Sequence, residues 1–187
     1  GRGDLGISTG IINAGGYVQL EAYGGTLNVG NLTSTSSVYL YNSGGGVTAG
    51  NISANGYVDV YAYSGPMMLG NVNSTSDIYL YSNAALTAGD LTTTYSFGDI
   101  DVYAQGALTV GSVTTPYAST LRGDTVQLNR VTNASMGALS YRLQIDSQQG
   151  FADANVLDQT NGLRANTIEI NAYGGSGNSI DLITTPL

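Results

Sequence analysis

The chain has 187 residues with 13 acidic and five basic side chains, all five of them Arg, and it contains no His, Cys, Trp or Lys, for a net charge of −8. This balance argues against a nucleic-acid partner, which needs clustered cations, and it excludes disulfide staples and thiolate metal sites. No apolar run reaches the length of a membrane span, so membrane insertion is not expected.

After Arg2-Gly3-Asp4, a tripeptide considered below, the chain settles into a short recurring phrase. A glycine followed two places on by an apolar residue returns at Gly10, Gly30, Gly50, Gly70, Gly89 and Gly111. A period near 20 is one turn of a solenoid. Within each turn the apolar residues alternate, as strands require, instead of recurring at three or four. A first short stretch points Ile12, Leu32, Ile52, Val72, Leu91, Val113 and Val131 inward. A second carries the doublets Val18/Leu20, Val38/Leu40, Val58/Val60, Ile78/Leu80, Ile100/Val102 and Val126/Leu128. A third carries Leu27/Val29, Val47/Ala49, Met67/Leu69, Leu86/Ala88 and Leu108/Val110.

Each column keeps its chemical type from coil to coil, so like residues stack in register on parallel strands. The expected fold is all-β, a right-handed parallel β-helix (β-solenoid) with coils of about 20 residues and three short strands per coil. A left-handed hexapeptide solenoid fits less well, because no hexad pattern of glycines is present. The column after the repeat glycine reads Asn31, Asn51, Asn71, Asp90, Ser112. It suggests a turn in which the glycine adopts a backbone conformation closed to other residues while side-chain amides bond up the stack. Residues 10–42 match residues 50–82 at 17 of 33 positions, which marks a duplicated pair of coils.

The regular coils run over 1–132. From 133 to 166 an irregular coil is expected, with one alternating strand (Leu139, Tyr141, Leu143, Ile145) followed by the polar excursion DSQQGFADANVLDQTNG; over 167–187 the coil pattern resumes. The whole reads as one domain and as a piece of a longer chain. Four of the five arginines, Arg122, Arg130, Arg142 and Arg164, fall in the last third. A loop bulging from the solenoid accounts for the irregular stretch, and a ligand-facing protrusion is the alternative, because loops on solenoids often carry function.

The candidate binding surface is the outward side of the second strand. By the period-two rule Tyr39, Tyr41, Asp59, Tyr61, Tyr79, Tyr81, Asp101 and Tyr103 share one face, with Tyr41, Tyr61, Tyr81 and Tyr103 as an aromatic ladder. A sugar ring stacks its apolar face on such a surface and satisfies its hydroxyls laterally. Tyrosine is also a strong strand former that stacks on itself with no ligand, and that reading stands beside the first.

The tripeptide Arg-Gly-Asp occurs at Arg2-Gly3-Asp4 and at Arg122-Gly123-Asp124. The second copy aligns with Phe97-Gly98-Asp99 in the coil before, where Gly-Asp opens a strand. An integrin-binding tripeptide needs the tip of an exposed loop, so a plain turn is the preferred reading.

No cofactor, metal site or catalytic residue is expected. Galacturonase-like hydrolases need His and Lys, which are missing. The carboxylates Asp59, Asp99 and Asp101 that would serve a pectate-lyase-like site are interrupted by Tyr39 and Tyr79. Residues 174–182, GGSGNSIDL, resemble an imperfect calcium nonapeptide, but Ser179 stands where a ligand aspartate is needed and no second copy follows. The sequons at Asn31, Asn51, Asn73 and Asn133 carry no weight in an Asn- and Thr-rich chain.

The segments GNLTSTSSVYLY, GNISANGYVDVYAY and GDIDVYAQGALTVGSVT resemble the shaft repeats of filamentous-haemagglutinin-type adhesins, the exported proteins of two-partner secretion systems in Gram-negative bacteria, among them biofilm-matrix adhesins. The resemblance covers residues 6–132 and rests on repeat length and column chemistry. The NPNG-type motifs of that family's export domain do not occur here, which assigns the chain to the shaft or distal region. Autotransporter passenger domains share the same kind of solenoid. The resemblance implies an extracellular or cell-surface location, an outer-membrane transporter as partner of the parent chain, and attachment to cells, matrix or host as the function; the tyrosine face adds polysaccharide or surface glycan as the candidate partner, and the Arg-Gly-Asp tripeptides add a host integrin. A spacer shaft with no ligand and a polysaccharide-processing β-helix are the alternatives.

Overall fold

The computed structural model describes residues 5–133, 142–153, 167–172 and 180–181. The described residues are all-β and contain no helix. All strand pairings among the described residues are parallel and join equivalent strands of neighbouring coils, which makes the fold a parallel β-solenoid. Its third stack advances through six turns, from Ile7 to Leu27, Val47, Met67, Leu86, Leu108 and Val126.

Three stacks of strands enclose the core. The five-residue strands Val18–Ala22, Val38–Asn42, Val58–Ala62, Ile78–Ser82 and Ile100–Ala104 form the broadest wall. In the last four of these burial alternates strictly, so Val38, Leu40, Val58, Val60, Ile78, Leu80, Ile100 and Val102 are buried while the residues between them face outward. Three-residue strands supply the other walls, with Leu32, Ile52, Val72 and Leu91 from one and Leu27, Val47, Met67 and Leu86 from the other. Closure of these walls on one another removes the apolar columns from water, which is the main favourable term in such a fold.

The two-coil rhythm of the sequence has a cause at the corners. The inward corner column at the end of the first strand reads Ala14, Ser34, Ala54, Ser74. Ser34 Oγ donates to the Gly16 carbonyl of the coil below at 2.7 Å and accepts from the Ser36 N–H, and Ser74 does the same with Gly56 and Ser76. At the corner after the broad strand the column is Ala22, Asn42, Ala62, Ser82. Asn42 Nδ2 donates to the Gly25 carbonyl below and to Gly46 in its own coil. One polar side chain therefore satisfies carbonyls of two coils, and the alternate coil needs only Ala.

The repeat glycines serve a different purpose from the expected one. Gly25 is the only glycine in the left-handed region among the described residues, at φ 60°, so the repeat glycines are not selected for unusual backbone angles. From Gly30 to Gly111 they are needed for space. A Cβ on Gly50 would lie 2.3 Å from Asn31 Oδ1, and on Gly70 2.5 Å from Asn51 Oδ1. That oxygen is occupied in accepting the N–H of the next coil: Asn31 from Asn51, Asn51 from Asn71, Asn71 from Asp90, each at 2.9 Å, and Asp90 from Ser112 at 2.8 Å. The bond runs from backbone N–H to side-chain oxygen, which is why Asp90 can replace Asn in the column.

Two expected alignments are overturned. Val126 and Leu128 pair with Leu108 and Val110, so they belong to the third stack, and the second-stack position of that coil is Ser119–Arg122 beside Ile100–Tyr103. The tripeptide Arg122-Gly123-Asp124 consequently follows Tyr103 in register, not Phe97-Gly98-Asp99. The second-stack register advances 20 residues per coil as far as Ile78, then 22 to Ile100 and only 19 to Ser119; the longer coil holds Tyr95–Gly98 as an inserted turn. Beyond this, Arg142–Asp153 pairs with Ala118–Asn133 and takes up a shift between Gly123 and Thr125, so the first part of the polar excursion, from Asp146 to Asp153, is strand. Thr167–Ala172 and Ile180–Asp181 pair onto it in turn. Leu139, Tyr141, residues 154–166 and most of the calcium-like segment lie outside the described residues.

Candidate functional site: a tyrosine and carboxylate face

The strictly alternating burial of the broad strands places all eight expected site residues on one outward face, each half-buried. The register divides them into two rows. One reads Gln19, Tyr39, Asp59, Tyr79, Asp101, Thr120, and the other Glu21, Tyr41, Tyr61, Tyr81, Tyr103, Arg122.

The rings do not stack straight up the second row as a single ladder. They lean across rows and form two zigzag lanes. Tyr39, Tyr61, Tyr79 and Tyr103 make one, with successive centroids 5.6, 5.4 and 5.7 Å apart. Tyr23, Tyr41, Tyr63 and Tyr81 make the other, at 5.8, 5.5 and 5.3 Å. The lanes are tied by near-parallel pairs, Tyr39 with Tyr41 (7° between planes) and Tyr61 with Tyr63 (4°). Tilted pairs at these separations are the geometry that ring quadrupoles favour.

Tyr23 and Tyr63 were not among the expected site residues. They lie just past the strand ends at Ala22 and Ala62, and the period-two pattern simply continues into the turn. A separate edge-to-face cluster of Tyr95, Phe97 and Tyr117 on the inserted turn was also not anticipated.

Negative charge is concentrated on and beside this face. Burial raises the pKa of Asp59, with the nearby Asp77 charge adding to it, and burial likewise raises that of Asp101, opposed by a Thr120 hydrogen bond. Burial and then the Asp101 and Asp77 charges push Asp99 up to about 6. The phenol of Tyr61 is pushed up to about 12, by burial first and by Asp59 next. At the first coil, hydrogen bonds from Tyr23 and Gln19 hold the Glu21 carboxyl below its usual range.

The face ends at Arg122. Its guanidinium lies 5.3 Å from the Tyr103 ring centroid and pairs with the buried carboxylate of Asp146 at 2.7 Å. A shallow groove of about 410 Å³ opens there between Tyr81, Tyr103, Arg122 and Asp124. Arg122-Gly123-Asp124 is thus part of a continuous strand, with Gly123 buried against Leu108. Arg2, Gly3 and Asp4 lie outside the described residues. Among the described residues no group of three or more carboxylates is arranged to hold a metal ion.

Fold and face together define a repetitive β-solenoid with an aromatic, acidic flank. No protein-family model, curated protein or solved structure matches the chain.

Proposed function

We propose that this chain is a shaft segment of a secreted or cell-surface bacterial adhesin of the filamentous-haemagglutinin type, and that its tyrosine face contacts polysaccharide weakly and repeatedly during cell–cell, matrix or host attachment. The parent chain would be exported through an outer-membrane transporter. The observation that carries the reading is the pair of tyrosine lanes, which present rings over successive coils on one accessible face. Rings at coil spacing suit a polymer better than a small ligand, since each contact contributes about 1 kcal/mol and repetition along one chain supplies effective concentration. Binding in place of catalysis is supported by the register, in which Tyr79 separates Asp59 from Asp101. Against integrin contact weighs the engagement of Arg122 with Tyr103 and Asp146.

The experiment is retention on immobilised polysaccharides of graded length. Retention rises with length in the parent and is lost in Tyr61→Ser/Tyr81→Ser, with an unchanged far-UV circular dichroism spectrum. Equal retention of parent and variant would remove the tyrosine face from the function. The ring–ring contacts favour a second reading, a spacer shaft whose tyrosines only brace one another, and a parent retained by no polysaccharide of any length would establish it.

A further inference from the structure

The carboxylates set into the tyrosine lanes carry chemical information of their own. Asp59 occupies the place between Tyr39 and Tyr79 in its row, and Asp101 the place after Tyr79. Among the described residues neither has a cationic partner: no basic residue occurs from residue 3 to 121, and the ion pair of the described face belongs to Arg122 and Asp146. Both the carboxylates and the aromatic faces attract positive charge, the first by Coulomb interaction and the second through ring quadrupoles. Where the chain does supply a cation to this surface, it is accepted in this manner, with the Arg122 guanidinium over Tyr103. An acidic polymer would meet repulsion along the whole face.

The spacing narrows the ligand further. Coils of a parallel solenoid are about 4.8 Å apart, close to the length of one sugar in an extended, equatorially linked polysaccharide. In such a chain alternate sugars are flipped, so substituents on one side recur every second sugar. Asp59 and Asp101 recur every second coil in the same row.

We infer that this face takes an amine-bearing polysaccharide, an extended hexosamine polymer with free amino groups that lies along the solenoid axis, with its ammonium groups on Asp59 and Asp101 and its rings on the tyrosine lanes. The inference rests on the reading that the tyrosine face contacts polysaccharide, and adds the class of sugar. Raised carboxyl pKa values at Asp59 and Asp101 accord with it, because an ionised carboxylate there gains from an arriving cation.

The test is calorimetric titration of the whole chain at low ionic strength, at a pH where the sugar amines are protonated. Four probes are compared: the β-1,4-linked glucosamine hexamer, its fully N-acetylated counterpart, the β-1,4-linked glucose hexamer and hexalysine. The glucosamine hexamer binds about tenfold more tightly than either neutral hexamer, the scale expected for two partly exposed charge contacts assisted by rings. Asp59→Asn/Asp101→Asn reduces it to the neutral level, and Tyr61→Ser/Tyr79→Ser weakens all three sugars. Equal binding of the glucosamine and neutral hexamers would overturn the amine preference while leaving polysaccharide contact standing. Hexalysine binding as tightly as the glucosamine hexamer would overturn it too, by showing that the face reads charge alone. Failure of all three sugars to bind would overturn both this inference and the reading beneath it.

Discussion

Asp99 gives the sharpest test of how the acidic flank was assembled. It precedes the strand Ile100–Ala104; its carboxyl accepts the Ala118 N–H, and its Oδ1 is buried without a hydrogen-bond partner among the described residues. Burial, reinforced by Asp101 and Asp77, raises its pKa from 3.8 to about 6. A carboxyl with a raised folded-state pKa holds its proton more tightly in the folded than in the unfolded chain. Between about pH 4 and pH 6 the folded state therefore binds more protons, and stability falls as pH rises through that window. At full weight the shift corresponds to about 3 kcal/mol, and solvent screening at a partly exposed site reduces this to about 1–2 kcal/mol. Asp99→Asn keeps the acceptor for Ala118 and removes the ionisation. At pH 7 the variant should melt a few degrees above the parent, and at pH 4 the two should coincide. Thermal melts followed by far-UV circular dichroism at both pH values measure the difference. A variant no more stable than the parent at pH 7, or one with the same gain at pH 4, would refute the account.

Two further outcomes follow from the packing. Leu80→Ala empties a fully buried position between Val60 and Val102 and should cost about 2–5 kcal/mol in urea unfolding, whereas Tyr81→Ser on the same strand should cost far less. Gly70→Ala drives a Cβ to 2.5 Å from Asn51 Oδ1 and should cost about 1–3 kcal/mol, while Gly10→Ala, with nothing within 4 Å, should stay within about 0.5 kcal/mol. Adding Asn51→Ala to Gly70→Ala should cost less than the sum of the two single changes, because the clash is relieved by the same step that removes the hydrogen bond. Additive costs would show that the repeat glycine is not answering to that side chain.

The apolar columns were legible in the sequence because a parallel stack repeats its environment every coil, so Val38, Val58 and Ile78 had to share a fate and the period of 20 was enough to name the fold. The outward face was legible for the same reason, since burial alternates along a strand whatever lies on the other side. Irregular coils broke that inference. With 22 residues to Ile100 and 19 to Ser119, counting along the chain put Val126 and Leu128 in the wrong stack and Arg122-Gly123-Asp124 at a strand entry. Only tertiary pairing decides which residue follows Tyr103, because register is set by hydrogen bonds between coils and a corner can absorb an insertion without altering the strands on either side. The glycines were recognised as necessary but for the wrong cause: their conformation is ordinary, and at Gly50, Gly70 and Gly89 it is an Asn oxygen of the preceding coil that leaves no room for a Cβ. Ring directions were likewise beyond the sequence. A row of tyrosines at coil spacing reads as one ladder, but side chains are free to lean, and the leaning that brings Tyr23 and Tyr63 into the lanes depends on neighbours one coil away.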